Sequence, residues 1–318
     1  MADARVIEDG WVEVPLRVLP EHHGLRLDAY LARRLRRQSR TGVQRLIDDG
    51  RVLRNAGGVK ASCRVAQGET VLVRYPKTEE PPAAHETLPI VFQDESLVVI
   101  DKPAGVLSHP TDKVLHNTVT TVLARQLGRP VFLAHRLDRE TSGLMAVTLD
   151  SSSARALFEQ FSARGVSKEY LAVVRGRVAW ERELVDAPLA YEGGEIKVRQ
   201  AVNAEIGANA VTEFRRLACD GERTLVAAKP RTGRLHQIRA HLAHLGHPVL
   251  GDKLYQDDGA AYMKAVRREL RPADLVALGA ERQLLHAWRL SLRHPRTGAA
   301  LSFQAPPPAD FPLRPEAA

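Results

Sequence analysis

A polar run from Ala134 to Gly143 contrasts with the apolar residues on both sides of it. It contains Asp138, follows the short apolar segment 131–133, and precedes a predicted strand that begins at Leu144. A loop that enters a strand can present a side chain rigidly to a ligand. An ionised carboxylate held in this way can attack an electron-poor carbon or stabilise a positively charged one. The alternative role for Asp138 is that of a turn residue, which accepts a hydrogen bond from the amide near Thr141.

A second polar run extends from Arg231 to Arg239, and its pattern predicts a turn that leads into a helix. Ile238, Leu242 and Leu245 recur at the spacing of one buried helical face. Arg239 borders that face, so its aliphatic stem can be buried while its guanidinium group reaches inward. The alternative is an arginine on the surface of an ordinary helix.

The positive charge of the chain is concentrated in one segment. The 318 residues carry a formal charge of +8, and residues 24–75 alone hold 12 Lys and Arg against 4 Asp and Glu. A basic segment on a nearly balanced body is typical of a nucleic-acid-binding surface. An arginine-rich face kept for solubility explains the charge equally well. Binding to an anionic membrane is disfavoured because the segment lacks Trp or Phe anchors.

The usual motifs of several other enzyme classes are missing from this sequence. Phosphate-binding, dinucleotide-binding, zinc-protease and serine-hydrolase motifs are all absent. The spacing of His236, His241, His244 and His247 does not bring three of them onto one helical face. We therefore predict no metal site, and we expect these histidines at the helix surface or in contact with RNA.

The expected compartment is the cytoplasm. No apolar run is long enough to cross a bilayer, and the first residues lack the basic start and apolar stretch of a signal peptide. Cys63 and Cys219 lie far apart and form no C-x-x-C pair, which argues against a disulfide framework and a thiolate zinc site. We expect a soluble protein with ordinary thiols.

Composition divides the chain into unequal parts. Two amphipathic helices are predicted between residues 25 and 50, followed by strands over 51–54 and 70–75. A stretch rich in proline and charge follows and marks a linker. The predicted division is an N-terminal extension (1–23), a basic module (24–75), a linker (76–88) and a large domain (89–318).

The large domain is predicted to be α+β with a largely antiparallel sheet, because its strands follow one another without regular helix alternation. Helices are expected at 117–127, 151–163 and 235–245. The predicted strands are 90–93, 97–100, 143–149, 166–174, 211–217, 225–228 and 290–293.

Two of these segments resemble the motifs of one enzyme family. HRLDRETSGL, from His135 to Leu144, and RTGRLHQIRAHL, from Arg231 to Leu242, are similar to two motifs of RluA-type pseudouridine synthases. Three shorter matches occur in the family's order over roughly residues 88 to 305. They are Asp101-Lys102-Pro103-Ala104-Gly105, Lys168-Glu169-Tyr170, and Gly246-His247-Pro248 with Gly251-Asp252 and Tyr255.

The resemblance implies a pseudouridine synthase fold and the isomerisation of uridine to pseudouridine without a cofactor. It assigns the essential carboxylate to Asp138 and an aromatic platform for a flipped-out uridine to Tyr170. It also places Arg239 in contact with Asp138, where a cation keeps the carboxylate ionised. Either Tyr170 or Asp138 could remove the final proton. An apolar pocket around Leu137, Leu144 and Ile238 would exclude water.

RNA is the expected partner, ribosomal RNA first and transfer RNA as the alternative; neither a membrane nor an obligate protein partner is expected. The basic module resembles the small RNA-binding domain named after ribosomal protein S-four. The loop from His109 to Val114 lacks the glycines that the family usually has there, which leaves substrate choice open. The residues expected to hold loops or contact RNA are His135, Arg136, Arg234, His236, Gln237, Arg26, Arg40 and Arg45.

Two functions from other classes remain as alternatives. A non-catalytic RNA-binding or ribosome-assembly protein could use the same scaffold, although Asp138, Tyr170 and Arg239 are all present. A glycoside hydrolase built around Asp138 would need a second carboxylate as proton donor. Glu140 is the only acid nearby in sequence, and nothing in the pattern directs it to the same pocket.

Overall fold

The computed structural model describes residues 5–7, 11–35, 40–54, 57–76, 84–111 and 114–315. The chain forms two compact units, residues 1–80 and 81–318. Most of the predicted linker, residues 77–83, lies outside the described residues.

The first unit combines two helices with a five-stranded sheet in the order β1-β2-β5-β3-β4. Strand β2 pairs antiparallel with β5 along its whole length, from Trp11 opposite Pro76 to Arg17 opposite Thr70. The sheet thus includes two strands that precede residue 24. The elements are β1 (Arg5–Ile7), β2 (Trp11–Arg17), α1 (Leu27–Arg34), α2 (Arg40–Asp48), β3 (Val52–Arg54), β4 (Gly57–Gly58) and β5 (Thr70–Pro76).

The two helices of this unit bury the apolar faces that their spacing predicts. Leu27 and Leu31 of α1 and Val43 of α2 are fully buried. They pack in one cluster with Val71 and Val73 of β5. Burial of side chains of this size contributes about 1.5–3 kcal/mol each, which holds the helices on the sheet.

The second unit is built on a mixed ten-stranded sheet, with the main path β11-β14-β15-β10-β16-β9-β7-β6; β17 also pairs with β16, and β8 with β9. Its ladders are antiparallel except for β16 with β9. The predicted α+β class with a mostly antiparallel sheet is confirmed. The ten strands are β6 (Ile90–Gln93), β7 (Leu97–Lys102), β8 (Phe132–Leu133), β9 (Ser142–Thr148), β10 (Ser167–Arg175), β11 (Arg182–Asp186), β14 (Val211–Cys219), β15 (Arg223–Pro230), β16 (Leu285–Arg293) and β17 (Ala300–Gln304). Two further strands, β12 (Leu189–Tyr191) and β13 (Gln200–Val202), pair with each other in a separate sheet.

Among the described residues of this unit, five α-helices accompany the sheet. Three were predicted, and the first of them starts after Thr118, whose side chain accepts a hydrogen bond from the amide of Thr121. This cap satisfies a free amide of the first helical turn. The helices are α3 (Val119–Leu127), α4 (Ser151–Ser162), α5 (Gln237–His244), α6 (Ala260–Arg267) and α7 (Pro272–Leu278).

Strand β9 lies in the interior and separates two apolar layers. Every residue of β9 is buried. Leu144 packs with Leu97 and Val99 on one side, whereas Met145 packs with Val98 on the other. Since Asp138 lies a few residues before β9, the loop that carries it is attached to a fully buried strand.

Candidate active site

A cleft of about 1290 Å³ opens where the loop before β9, the start of β10 and the start of α5 meet. Both polar runs found in the sequence line it, although roughly a hundred residues separate them. The lining residues used below are Arg136, Leu137, Asp138, Phe158, Phe161, Arg164, Lys168, Tyr170, Tyr191, Lys229, Arg231, Arg234, His236, Ile238 and Arg239.

Asp138 and Arg239 form an ion pair in this cleft. Nη1 of Arg239 donates to Oδ2 of Asp138 at 2.8 Å. The Asp138 side chain is 21% exposed and that of Arg239 only 8%. The carboxylate is thus partly open to the cleft while its cation is enclosed by protein. This places the predicted contact on the wall of a cavity that can hold a ligand.

A second carboxylate fixes the orientation of Arg239. Asp252 is fully buried and accepts from Nε of Arg239 at 2.6 Å and from Nη2 at 2.8 Å. The guanidinium carbon also lies 5.1 Å from the ring centre of Tyr255. Such bidentate geometry is more rigid than a single contact. One edge of the guanidinium is therefore held by Asp252, which leaves Nη1 to face Asp138.

This arrangement keeps the carboxylate ionised. Burial raises the pKa of the Asp138 carboxyl and is the largest single effect, whereas the charge of Arg239 lowers it. With further contributions from His236 and from hydrogen bonds of Arg239 and Gln283, the pKa stays below its ordinary value. Burial likewise opposes the charge of Arg239, yet the neighbouring Asp252 raises the guanidinium pKa further. Both members of the pair are charged at neutral pH.

Residues 141–143, which follow Asp138, anchor its loop to β16 and to the segment just before that strand. Thr141 Oγ1 accepts from the side-chain amide of Gln283 at 2.8 Å, and Ser142 Oγ lies 3.0 Å from Nδ1 of His286. Gly143 has a φ of 106° and lies against the backbone of Ala287, where a Cβ atom would collide. Only glycine fits this close approach.

Glu140 points away from the cleft. Its carboxylate accepts from Nζ of Lys253 at 2.8 Å and from the amide of Gln283 at 3.2 Å. It is not among the residues that line the cleft, and among those residues Asp138 is the only carboxylate. The second acid that a glycoside hydrolase needs is therefore absent from the described cleft.

The side chain of Lys102 holds the loop that carries Asp138. Lys102 lies in a motif that was matched in the sequence, but that match did not predict this role. It is fully buried, and its Nζ donates to the carbonyl oxygens of Pro103, Val106 and Arg139. Those distances are 2.9, 2.9 and 3.2 Å. Burial lowers the pKa of Lys102 to about 7. The apolar run from Leu97 to Ile100, shortly before Lys102, was the available signal, because a lysine at the end of a buried strand needs an internal partner.

Tyr170 lies in β10 opposite Ala287 and lines the cleft with Asp138. Burial, and then the charge of Asp138, raises the pKa of its phenol well above the usual range. The phenol is therefore protonated at neutral pH, which opposes the possible role as a phenolate base. Its ring remains available as an aromatic wall.

The predicted apolar pocket is only partly correct. Leu137 and Ile238 line the cleft. Leu144 does not, since its side chain packs with Leu97 and Val99 beneath the sheet. The residue alternation of a strand sends neighbours to opposite faces, and Leu144 takes the face away from Asp138.

Two of the predicted loop or RNA residues are occupied inside the fold. The side chain of Gln237 bonds to Thr232, to Thr212 and to the carbonyl of Val211, all within 2.9 Å. Nε2 of His135 accepts from the amide of Ala146 at 3.0 Å. The sequence predicted that these residues either hold loops or contact RNA. The contacts within the fold are of the kind that holds a loop.

His236 faces Asp138, with Nε2 4.0 Å from Oδ1. It has a φ of 55° just before α5, and burial followed by the charge of Arg239 lowers its pKa to about 4. The ring is neutral at pH 7 and can accept or donate one hydrogen bond. His241, in contrast, is fully buried between Thr212 and the carbonyl of Ala187, so its predicted surface position is wrong.

Arg136 and Arg234 are exposed on the cleft lining. Arg234 is steadied by a bond from its Nε to the carbonyl of Asn209 at 2.9 Å. In the first unit, Arg26 and Arg40 both contact Asp28 at 3.1 Å, whereas Arg45 is exposed on α2. The structure thus brings Asp138, Arg239, Tyr170, His236, Arg136 and Arg234 to one cleft of the second unit.

Within the described ranges, no group of three His, Cys, Asp or Glu side chains is arranged to hold a metal ion. None of the helices in that part of the chain has both the length and the apolar character needed to cross a bilayer.

Fold and site together define an α+β enzyme with a basic cleft built around one ionised carboxylate. The family model described as RNA pseudouridylate synthase matches residues 96–244. The uncharacterised RNA pseudouridine synthase YlyB of Bacillus subtilis is 32% identical over 94% of this chain and 96% of that protein. Ribosomal large subunit pseudouridine synthase D of Nitrosomonas europaea is 35% identical over 91% of this chain and 83% of its own length.

A transfer-RNA enzyme and two solved structures are also similar. tRNA pseudouridine synthase C of Salmonella typhi is 38% identical over 69% of this chain and 85% of that protein. The human RNA pseudouridylate synthase domain containing 4 superposes with a TM-score of 0.54 at 30% identity, over 70% of this chain and 89% of that one. The human RNA pseudouridylate synthase domain containing 1 superposes with a TM-score of 0.55 at 27% identity, over 71% of this chain and 86% of that one. The chain belongs to the RNA pseudouridine synthase family and is an isomerase that acts on RNA.

Proposed function

We propose that the enzyme converts a specific uridine of structured RNA to pseudouridine with Asp138 as the essential carboxylate. The observation that carries this proposal is the pair of Asp138 and Arg239 on the wall of the cleft, 2.8 Å apart. Asp138 is also the only carboxylate among the lining residues. A reaction that needs one ionised carboxylate and a water-poor cavity is well matched to this site.

The chemistry breaks the bond between ribose C1′ and uracil N1 and forms a bond between C1′ and uracil C5. The C5 proton then leaves and N1 takes up a proton, so that atoms and charge balance without an oxidant, a phosphate or a metal. Asp138 can form a covalent bond to the sugar or the base, or stabilise an electron-poor sugar. Because its pKa is held low, the carboxylate is ready for each of these roles.

Tyr170 is assigned to the wall against which the uracil ring rests, since its phenol stays protonated. The final proton then goes to Asp138, whose carboxylate faces the same cavity. Leu137 and Ile238 limit the access of water to a reactive sugar. Arg136, Arg234 and His236 contact the RNA around the target uridine.

Large-subunit ribosomal RNA is the proposed substrate, and transfer RNA is the alternative. Synthase D relatives match 91% of this chain, including sequence that precedes the large domain. The match to tRNA pseudouridine synthase C covers 69%. Action on RNA of this kind suggests a cytoplasmic enzyme.

The first unit is proposed as an S-four-like RNA-binding domain over residues 24–75, joined by the 76–88 linker to a catalytic domain over 89–318. Two helices on a small sheet and the surplus of +8 in this segment support the assignment. Asp28 draws Arg26 and Arg40 to one place beside α1 and α2. Arg45 adds an exposed cation on α2.

The test is to map pseudouridines in total RNA from cells with and without the gene, and in cells that carry Asp138→Asn instead. We expect a defined position to be lost in both strains and restored only by the unaltered gene. Formation of that pseudouridine by Asp138→Asn would disprove the role of the carboxylate. A lost position in transfer RNA would replace the ribosomal substrate.

A further inference from the structure

Two aromatic side chains at the cleft are left exposed, although aromatic rings usually lie at least partly buried. Phe158 is 59% exposed and Tyr191 is 62% exposed. Both line the same cavity as Asp138. We propose that Phe158 and Tyr191 are stacking platforms for unpaired bases that flank the target uridine. This inference deepens the proposed function and rests on it.

Phe158 is held rigidly by its helix. The neighbouring Leu157 is fully buried in the layer beneath the sheet. Phe158, Phe161 and Ser162 have the spacing of one helical face, and all three line the cleft. Phe161 is covered by a stacked His135 ring at 4.4 Å, whereas Phe158 remains open. The exposed ring is therefore aimed at the cavity by a fixed backbone.

Tyr191 is carried by the β12–β13 hairpin, which is tied to the catalytic pair. Tyr191 pairs with Gln200 in the two-stranded ladder, and the backbone N–H of Gln200 donates to the Tyr255 hydroxyl at 3.0 Å. The ring of Tyr255 in turn lies against the guanidinium of Arg239. A base bound at Tyr191 would rest on an element that contacts the support of Arg239.

The charge around the two rings favours nucleic acid as the occupant. Arg136, Arg164 and Lys229 line the cleft without an ion pair to any described carboxylate. Arg231 also lines the cleft, but it forms an ion pair with Glu213, which is not among the lining residues. Exposed aromatic rings interleaved with unpaired cations suit single-stranded RNA, in which phosphates meet the cations and bases stack on the rings.

Stacking on these rings selects the structure of the RNA. Bases in a duplex already stack on one another and cannot offer a free face to Phe158 or Tyr191. The neighbours of the target uridine must therefore be unpaired when they bind. The substrate class implied is a loop, bulge or single-stranded segment, and continuous duplex is excluded.

The experiment compares two RNA probes on the full chain carrying Asp138→Asn, so that no turnover occurs. One probe is a fluorescent oligouridylate strand, and the other is a mixed-sequence duplex of the same length. Phe158→Ala and Tyr191→Ala should each weaken binding of the single strand by roughly 5- to 100-fold. Duplex binding should change less than about twofold, since only cations contact it.

Matched variants separate stacking from general damage. Phe158→Tyr and Tyr191→Phe keep a ring and should retain single-strand affinity, whereas Val276→Ala changes an exposed apolar residue elsewhere and should have no effect. Ultraviolet crosslinking of a 5-bromouridine strand should mark peptides that contain Phe158 and Tyr191.

Unchanged single-strand affinity in the alanine variants would overturn the proposal and leave the rings to a protein partner. Equal loss for strand and duplex, loss at only one ring, or crosslinks confined to residues 1–80 would overturn it as well. Because the readout is binding without turnover, these failures are distinct from a failure of the Asp138 mechanism, which the RNA maps detect.

Discussion

Nη1 of Arg239 meets Oδ2 of Asp138 at 2.8 Å although 101 positions separate the two residues in sequence. The contact joins a loop that precedes β9 to the helix that follows β15. Neither segment can hold this geometry alone, since each is anchored to a different part of the sheet. The charge state of the proposed catalytic carboxylate therefore depends on the whole sheet.

Replacing Arg239 by lysine should lower kcat by roughly 100-fold, because a lysine cannot bridge Asp252 and Asp138 with fixed geometry. Tritium release from RNA labelled at uridine C5 measures this rate. Arg177→Lys is the matched control. Arg177 is exposed and lies just after the C-terminal end of β10, whereas Lys168 of the cleft lies near the N-terminal end of that strand. A kcat within twofold of the parent would show that the bidentate contact is dispensable.

Asp252→Asn should destabilise the protein by about 3–5 kcal/mol, because it leaves the buried Arg239 without its main counter-charge. Urea denaturation followed by circular dichroism gives this difference in unfolding free energy. Asp258→Asn provides the comparison, as Asp258 is 99% exposed and its ion pair contributes at most about 1 kcal/mol. Equal stability of the two variants would contradict a structural role for Asp252.

The rate should show no acid limb above about pH 5, because Asp138 is already ionised there. A carboxyl with a lowered pKa keeps its charge above the ordinary value of 3.8 and loses it only as the pH falls below that value. Arg239→Gln should move the acid limb of its residual activity upward, since only His236 and Gln283 then oppose the effect of burial on the Asp138 carboxyl. A midpoint near pH 6.5 in the parent enzyme would implicate another titrating group.

Lys102→Met should lower both stability and activity, because carbonyls of Pro103, Val106 and Arg139 lose their shared donor. Leaving a buried acceptor unsatisfied costs about 1–3 kcal/mol. Thermal unfolding and tritium release on the same samples measure the two effects. Lys197→Met, at an exposed position of the β12–β13 hairpin, should change neither.

Arg45→Ala should reduce the slope of log K against log salt for RNA binding by about 1, because one phosphate contact is removed. Fluorescence anisotropy over a salt series measures this slope. Arg26→Ala should have a smaller effect, since Arg26 already pairs with Asp28 at 3.1 Å. An unchanged slope for Arg45→Ala would remove α2 from the proposed RNA surface.

Local patterns predicted most of the elements that frame the site. Strands β7, β9 and β10 each contain an uninterrupted apolar run of four or more residues, so they were predicted nearly in full. Helices α6 and α7 and the β12–β13 hairpin were missed. They are short, and each of the two helices buries only one residue, so a local pattern offers little signal for them.

The residue types available for the site could be read from the amino-acid sequence alone: an aspartate in a loop before a strand, an arginine at the edge of a buried helical face, and a basic module. Tertiary structure decided which of them meet. It turned Glu140 toward Lys253, enclosed Gln237 and His241, and left Phe158 and Tyr191 open at the cleft. The physical reason is that side-chain direction and pKa depend on groups brought together by long-range strand pairing, and a local pattern contains no record of them.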